Sequence, residues 1–222
     1  MVLRAVIVDD HRLLAQSIAL ALRLEGIDCS VADLGDPQGL VDDLSAEPPD
    51  VVLLDLDLGP PIGDGADLVR PLTRAGSRVL VLSASTDPVR LGSALEAGAV
   101  GVLAKTEPID VLLAAAVKAA RGEPAMSEQR RNELLAAAVE RRVRRTVSLE
   151  PFSRLSEREA QVLRSLALGH SVATIAARAH VSEATVRSQV RGVLTKLGAG
   201  SQLEAVAHAH RSGWLGVSPS AW

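Results

Sequence analysis

The sequence predicts an α/β protein: a doubly wound, five-stranded parallel sheet followed by an all-α domain. Three observations carry that prediction. Four short apolar runs in the first half each end at a chemically useful side chain. Ala5-Val6-Ile7-Val8 stops at Asp9-Asp10, Val51-Val52-Leu53-Leu54 at Asp55, Val79-Leu80-Val81-Leu82 at Ser83, and Val100-Gly101-Val102-Leu103-Ala104 at Lys105. Such runs suit central parallel strands, which are buried on both faces. Helical periodicity fills the stretches between them, and from Leu155 onward the pattern is helical throughout.

Taken in order, residues 2–8 read as strand and 12–24 as helix, with Leu13, Leu14, Ile18, Leu20, Ala21 and Leu24 at helical spacing. Strands at 27–32 and 51–55 flank a helix at 38–46. A turn rich in Gly and Pro follows at 59–63, then a helix near 65–75. A strand at 78–82, a helix at 88–97, a strand at 99–104 and a helix at 109–121 complete five β-α units. Pro88 and Pro108 fall at helix starts, where a missing N–H costs little. Gly26, Gly76 and Gly98 fall where helices stop. Five units in about 120 residues make an open sheet, because an eight-stranded barrel needs roughly twice that length.

Residues 122–152 read as a linker: a charged helical stretch from Glu133 to Arg145, then an exposed connector from Thr146 to Pro151. Its basic run Arg141, Arg142, Arg144 and Arg145 reads as a solvated helix face rather than a DNA contact. Residues 153–222 read as the second domain. Ser156-Glu157-Arg158-Glu159 is a capping box opening a helix through Leu168. Ser171 starts a second helix to Ala179, and Ser182 caps a third running to Leu197. A fourth spans 202–211. Two helices joined by His180-Val181-Ser182 outline a helix-turn-helix.

The composition agrees with two domains. Of the 222 residues 47% are hydrophobic but only 1% aromatic, and Phe152, Trp214 and Trp222 all lie in the last third, so the first domain packs with aliphatic side chains. Residues 1–121 hold 10 Lys+Arg against 18 Asp+Glu, whereas residues 122–222 hold 14 against 9 and no Asp. An acidic half followed by a basic half points to a cation-handling module joined to one that meets a polyanion. A single cysteine, Cys29, forms no internal disulfide and reads as a buried side chain in a reducing, cytoplasmic setting. Asp9-Asp10 interrupts the N-terminus too early for a signal peptide, and no apolar stretch approaches the ~20 residues of a membrane span.

At the carboxyl edge of the sheet, where ligands bind such folds, Asp9, Asp10 and Asp55 would converge with Ser83 and Lys105. Three clustered carboxylates repel one another, and Mg²⁺ relieves this through octahedral oxygen coordination. A carboxylate also attacks phosphoryl groups to form an acyl phosphate. At these residues the first half resembles the receiver domain of bacterial two-component response regulators, with a flavodoxin-like strand order. The resemblance implies that Asp55 accepts phosphate from a sensor histidine kinase, while Asp9 and Asp10 hold Mg²⁺ with Asp55 and the backbone carbonyl of Asp57. Ser83 would be the switch hydroxyl and Lys105 the phosphate-neutralising lysine. Three departures stand out. Val102 replaces the aromatic residue that usually reports phosphorylation, the segment 58–65 is about two residues longer than usual, and Asp57 adds a fourth carboxylate.

The segments Leu155-Ser156-Glu157-Arg158-Glu159, Leu168-Gly169, Ile175-Ala176, Val181-Ser182, Thr185-Val186-Arg187 and Lys196-Leu197-Gly198 resemble the LuxR/NarL-type helix-turn-helix. In its third helix Val186, Val190, Val193 and Leu197 should pack inward. The resemblance implies that Arg187, Ser188 and Arg191 meet base edges of double-stranded DNA in the major groove and Thr185 a phosphate. Lys196 reads equally as a phosphate contact or a solvated helix end. Gln189 stands where a histidine is frequent. His170, His180, His208 and His210 make no metal set, since His208 and His210 face different ways on one helix.

Together these readings describe a response regulator in which phosphorylation of Asp55 modulates homodimerisation and promoter binding. One alternative is a phosphorylation-independent transcription factor that uses its receiver for dimerisation or ligand sensing, motivated by Val102 and the longer loop. A second is a haloacid-dehalogenase-type phosphatase, suggested by Asp55-Leu56-Asp57. In that class, however, the Asp-x-Asp strand comes first and the acidic pair last, and a cap domain is common.

Overall fold

A computed structural model describes residues 2–216, and Trp222 lies outside that range. Five parallel strands, β1 (Arg4–Val8), β2 (Asp28–Val31), β3 (Val51–Asp55), β6 (Arg78–Ser83) and β7 (Gly101–Ala104), form one sheet in the order β2-β1-β3-β6-β7. The order reverses between β1 and β3, whose carboxyl ends therefore border the crevice where doubly wound folds bind ligands.

Successive strand residues face opposite layers. Val6, Val8, Val52, Leu54, Val79 and Val81 pack with α2 (Pro37–Ala46), α3 (Ala66–Ala75) and α4 (Pro88–Ala97). Ala5, Ile7, Val51, Leu53, Leu80 and Leu82 pack with α1 (Arg12–Leu24) and α5 (Ile109–Arg121). Among the described residues no aromatic side chain enters either layer. Cys29 is buried in the second layer, and burial pushes its thiol up to about 11, so it packs rather than reacts.

Two local expectations are corrected, for α1 and for Thr146 to Pro151, and a third, the Gly-Pro turn, gains a frame. In α1 the buried residues are Ala15, Ile18, Ala19 and Leu22, whereas Leu13 and Leu24 are each 83% exposed. The Leu stripe read from spacing is therefore not the core stripe; small alanines let the helix sit close to the sheet. The Gly-Pro turn is framed by an antiparallel hairpin, β4 (Asp57–Gly59) and β5 (Gly63–Asp64), which absorbs the longer loop. Thr146 to Pro151 is not a connector: α6 runs unbroken from Glu128 to Ser153. Leu149 and Phe152 anchor its last turns in the C-terminal core, and tertiary packing overrides the helix-breaking tendency of Pro151.

The chain divides into two compact units, Met1–Glu140 and Arg141–Trp222, so the division falls inside α6. In the first unit, Leu134 and Ala138 of α6 are buried on α4. Gly92 makes this possible, because a Cβ there would lie 2.0 Å from the carbonyl oxygen of Leu134. Arg131 adds hydrogen bonds to the carbonyls of Ala99 (3.5 Å) and Val100 (3.3 Å).

The second unit holds α7 (Glu157–Ala167), α8 (Val172–Ala179), α9 (Glu183–Leu197) and α10 (Gln202–Arg211). The capping box of Ser156 and Glu159 opens α7 as the sequence requires. His180, in the left-handed region (φ 54°), ends α8, and Ser182 caps α9. Trp214 stacks on Phe152 with centroids 5.2 Å apart and lies under the guanidinium of Arg164. Among the described residues no helix is long and apolar enough to cross a membrane.

Candidate phosphoryl site and nucleic-acid interface

The register of the sheet aligns the reactive strand ends. Val8 pairs with Leu54 and Asp55 with Leu82, so Asp9 and Asp55 leave adjacent strands together. Ser83 pairs with Ala104, and the Lys105 amide donates to the Ser83 carbonyl at 2.9 Å. Asp9 and Asp55 side chains are each only 1% exposed. Their charges are met by Lys105, whose Nζ lies 2.8 Å from Asp9 Oδ2 and 2.7 Å from Asp55 Oδ2. Burial works against the Lys105 charge, but the bonds to Asp55 and Asp9 outweigh it and hold the ammonium above its ordinary 10.5.

Carboxylate and imidazole atoms of Asp9, Asp10, His11 and Asp55 lie within 4.8 Å of one another. Asp10 is exposed, and His11 Nδ1 sits 2.7 Å from its Oδ1. The donor set is rich in hard oxygens. In addition, the buried Asp9 Oδ2 is met by the Lys105 ammonium alone. One ammonium for three converging carboxylates, two of them buried, leaves negative charge that fits a divalent cation such as Mg²⁺.

Ser83 is buried at the end of β6, and its Oγ accepts from the amide of Ser85. Asp57 does not join the acid cluster. Its amide donates to Asp55 Oδ1 at 3.1 Å, while its carboxylate is engaged by Arg90 at 2.8 Å. Arg90 also donates to the Leu56 carbonyl (2.9 Å) and to Asp64 Oδ1 (3.1 Å). Burial opposes its charge, and the bonds to Asp57 and Asp64 more than offset this, raising its pKa. The next residue in the hairpin exit, Gly65, has to be glycine: a Cβ would lie 2.0 Å from the Asp55 carbonyl oxygen.

Sequence reasoning missed His11 and Arg90. His11 could have been found, because it directly follows the acidic pair. Nothing in the spacing marks Arg90, which reaches the site from α4, more than 30 residues from its partners in the case of Asp57.

In the second unit Val186, Val190, Val193 and Leu197 are buried, so the opposite face of α9 is presented outward. Thr185, Arg187, Ser188 and Arg191 are all exposed on it. Arg187 is held by Glu183 at 2.9 Å, and the Thr185 hydroxyl by Ser182 at 2.8 Å. Lys196 is elsewhere: its Nζ lies 2.6 Å from Glu159 of α7. Glu159 thus serves both the cap of α7 and the α7–α9 contact, and Gly192 leaves the space it occupies.

A doubly wound sheet with this acid–lysine edge, joined to a helix-turn-helix, defines a signal-receiving DNA-binding regulator. Comparison with known proteins agrees. Residues 5–117 match the family model described as response regulator receiver domain, and residues 153–209 that of bacterial regulatory proteins of the luxR family. The chain is 32% identical to the probable transcriptional regulatory protein NarL of Mycobacterium tuberculosis, covering 94% of each. It is 34% identical to the nitrate/nitrite response regulator protein NarP of Escherichia coli, covering 91% and 92%. Among solved structures it resembles the RcsB response regulator of Salmonella typhimurium, with TM-score 0.51 and 22% identity over 95% and 99% of the two chains. The chain belongs to the NarL/LuxR family of two-component response regulators. It is a DNA-binding transcription regulator rather than a classical enzyme.

Proposed function

We propose that Asp55 is the phosphoacceptor, charged by a sensor histidine kinase. An Asp55 oxygen attacks the phosphorus of the donor phosphohistidine. The O–P bond forms, the N–P bond breaks, and the imidazole leaves with the electron pair and takes up a proton. Lys105 then meets the phosphoryl oxygens, and the Ser83 hydroxyl is free to donate to them, since its present bond uses only a lone pair. Asp9, Asp10, Asp55 and the backbone carbonyl of Asp57 would hold Mg²⁺, which when bound supplies charge neutralisation for the transferring group. The observation that carries this reading is the Asp9–Lys105–Asp55 triad at the carboxyl edge of the sheet, Asp9 and Asp55 lying buried at the ends of the adjacent strands β1 and β3 and Lys105 reaching them from the end of β7.

On the output side α9 enters the major groove, with Arg187, Ser188 and Arg191 at base edges and Thr185 at a phosphate. Phosphorylation favours a homodimer on promoter DNA, and the protein works in the cytoplasm. Lys196 is better read as an internal tie to Glu159 than as a phosphate contact. Asp55→Asn should abolish labelling by acetyl phosphate with Mg²⁺; unchanged labelling excludes Asp55 as acceptor.

Val102, buried on β7 and without a ring to move, favours a second reading in which DNA binding is independent of phosphorylation. Equal promoter affinity with and without Mg²⁺ and phosphodonor would select it. The phosphatase reading loses support, because Arg90 occupies the carboxylate of Asp57 that would have to shuttle protons.

A further inference from the structure

We infer that Arg90 is a positioning residue that carries the chemical state of Asp55 to α4 and to the part of α6 seated on it. The link is a single peptide unit. The N–H of Asp57 donates to Asp55 Oδ1, and the C=O of the same Leu56–Asp57 peptide accepts from Arg90 Nη2. A peptide unit is planar and stiff, so turning its N–H end turns its C=O end. Arg90 cannot ignore that turn, because its guanidinium is a rigid fork held at two further points, Asp57 Oδ1 and Asp64 Oδ1.

The inference rests on the reading of Asp55 as phosphoacceptor. Esterification converts a carboxylate into an acyl phosphate, so Oδ1 no longer offers the Asp57 amide a fully charged acceptor. The charge-assisted bond weakens or is redirected to a phosphoryl oxygen, and the peptide re-aims.

From Arg90 the path continues through packed atoms of one unit. Arg90 lies in the first turn of α4, and Gly92, two residues on, brings the backbone of α6 at Leu134 into direct contact. Leu91 and Leu95 share a buried cluster with Leu134. Close-packed interfaces of this kind pass on displacement rather than absorbing it. The longer hairpin has a place in the device, because its exit residue Asp64 is the third acceptor of the fork. The chemistry at Asp55 is thus joined to α4 by a side chain, without any ring at position 102.

The test uses the full-length chain with acetyl phosphate and Mg²⁺, following amide hydrogen exchange in residues 88–97 and 128–138, normalised to the fraction labelled at Asp55. In the wild type, labelling should change exchange in both segments. In Arg90→Met, labelled protein should lose that change. Asp64→Asn, which withdraws one acceptor and leaves Arg90 in place, should reduce it, and it serves as the readout if Arg90→Met does not fold by circular dichroism. Labelled variants with the wild-type change overturn the inference. A labelled wild type with no change in either segment overturns it too, and leaves the phosphoacceptor reading standing. A wild type that takes no label removes that reading and this inference with it.

Discussion

The acid edge of the sheet and the outer face of α9 hold their charged side chains in opposite ways. At the sheet edge, Asp9, Asp55 and Lys105 are almost fully enclosed and bonded to one another across three strands. On α9, Arg187 and Arg191 are exposed, and the partner of Arg187 is a neighbour one helical turn away. An incoming phosphoryl group must therefore rearrange a buried network, whereas DNA needs only to exchange a weak, solvated ion pair. Under the proposed function the first site registers a covalent event and the second binds reversibly.

The contrast is broken most severely at Lys105. Lys105→Met leaves two buried carboxylates facing each other without a cation, which should cost about 3 kcal/mol of stability in urea unfolding near neutral pH. Added Mg²⁺ should restore more stability to the variant than it gives the wild type, since a cation then has repulsion to relieve. The pH dependence has a definite sign. The folded pKa of Lys105 is raised above 10.5, so its contribution is complete below 10.5 and disappears as pH climbs through the raised value. The wild type should lose stability over that alkaline range more steeply than Lys105→Met.

At Gly92 the expected effect is smaller. Alanine is the better helix former, but its Cβ would meet the Leu134 carbonyl at 2.0 Å. Overpacking should win, with a net loss of about 2 kcal/mol. Exchange in residues 128–138 should rise with it. A stabilised Gly92→Ala would show that α6 is not seated on α4 in solution.

These two sites differ in how far the sequence revealed them. Asp9, Asp55, Ser83 and Lys105 were legible because each ends an apolar run, and parallel pairing brings such ends to one edge. The buried face of α9 was legible for a similar reason: four apolar residues at one helical spacing leave little choice. The seat of α6 was not legible, because it depends on a missing side chain at Gly92, and spacing cannot distinguish a packing glycine from a weak helix position. Arg90 was hidden for a related reason, its partners being set by a hairpin whose shape no local pattern predicts. In α1 spacing misled outright, since Leu13, Leu20 and Leu24 form a stripe that alanines displaced from the core.

On α9, Arg187→Ala and Arg191→Ala should each weaken promoter binding by about 1–2 kcal/mol and leave thermal unfolding unchanged. Lys196→Met should do the reverse, lowering stability while leaving the salt dependence of DNA binding near that of wild type. Were Lys196 a phosphate contact instead, the slope of log affinity against log salt would fall by about 1.

The partner of Lys196 offers the finest discrimination between a structural and a DNA-facing charge. Burial opposes the Glu159 charge, but Lys196 and the Ser156 cap together hold its carboxyl below the usual 4.5. Its contribution is therefore present above 4.5 and is lost as pH falls through the depressed folded value. Glu159→Gln keeps a hydrogen-bonding side chain at the cap but no charge for Lys196, and should cost about 1 kcal/mol at neutral pH. Its acid unfolding curve should also be flatter than that of wild type below pH 4.5. If both proteins lose stability in parallel through that range, the α7–α9 tie adds nothing to folding, and Lys196 is then free to face DNA.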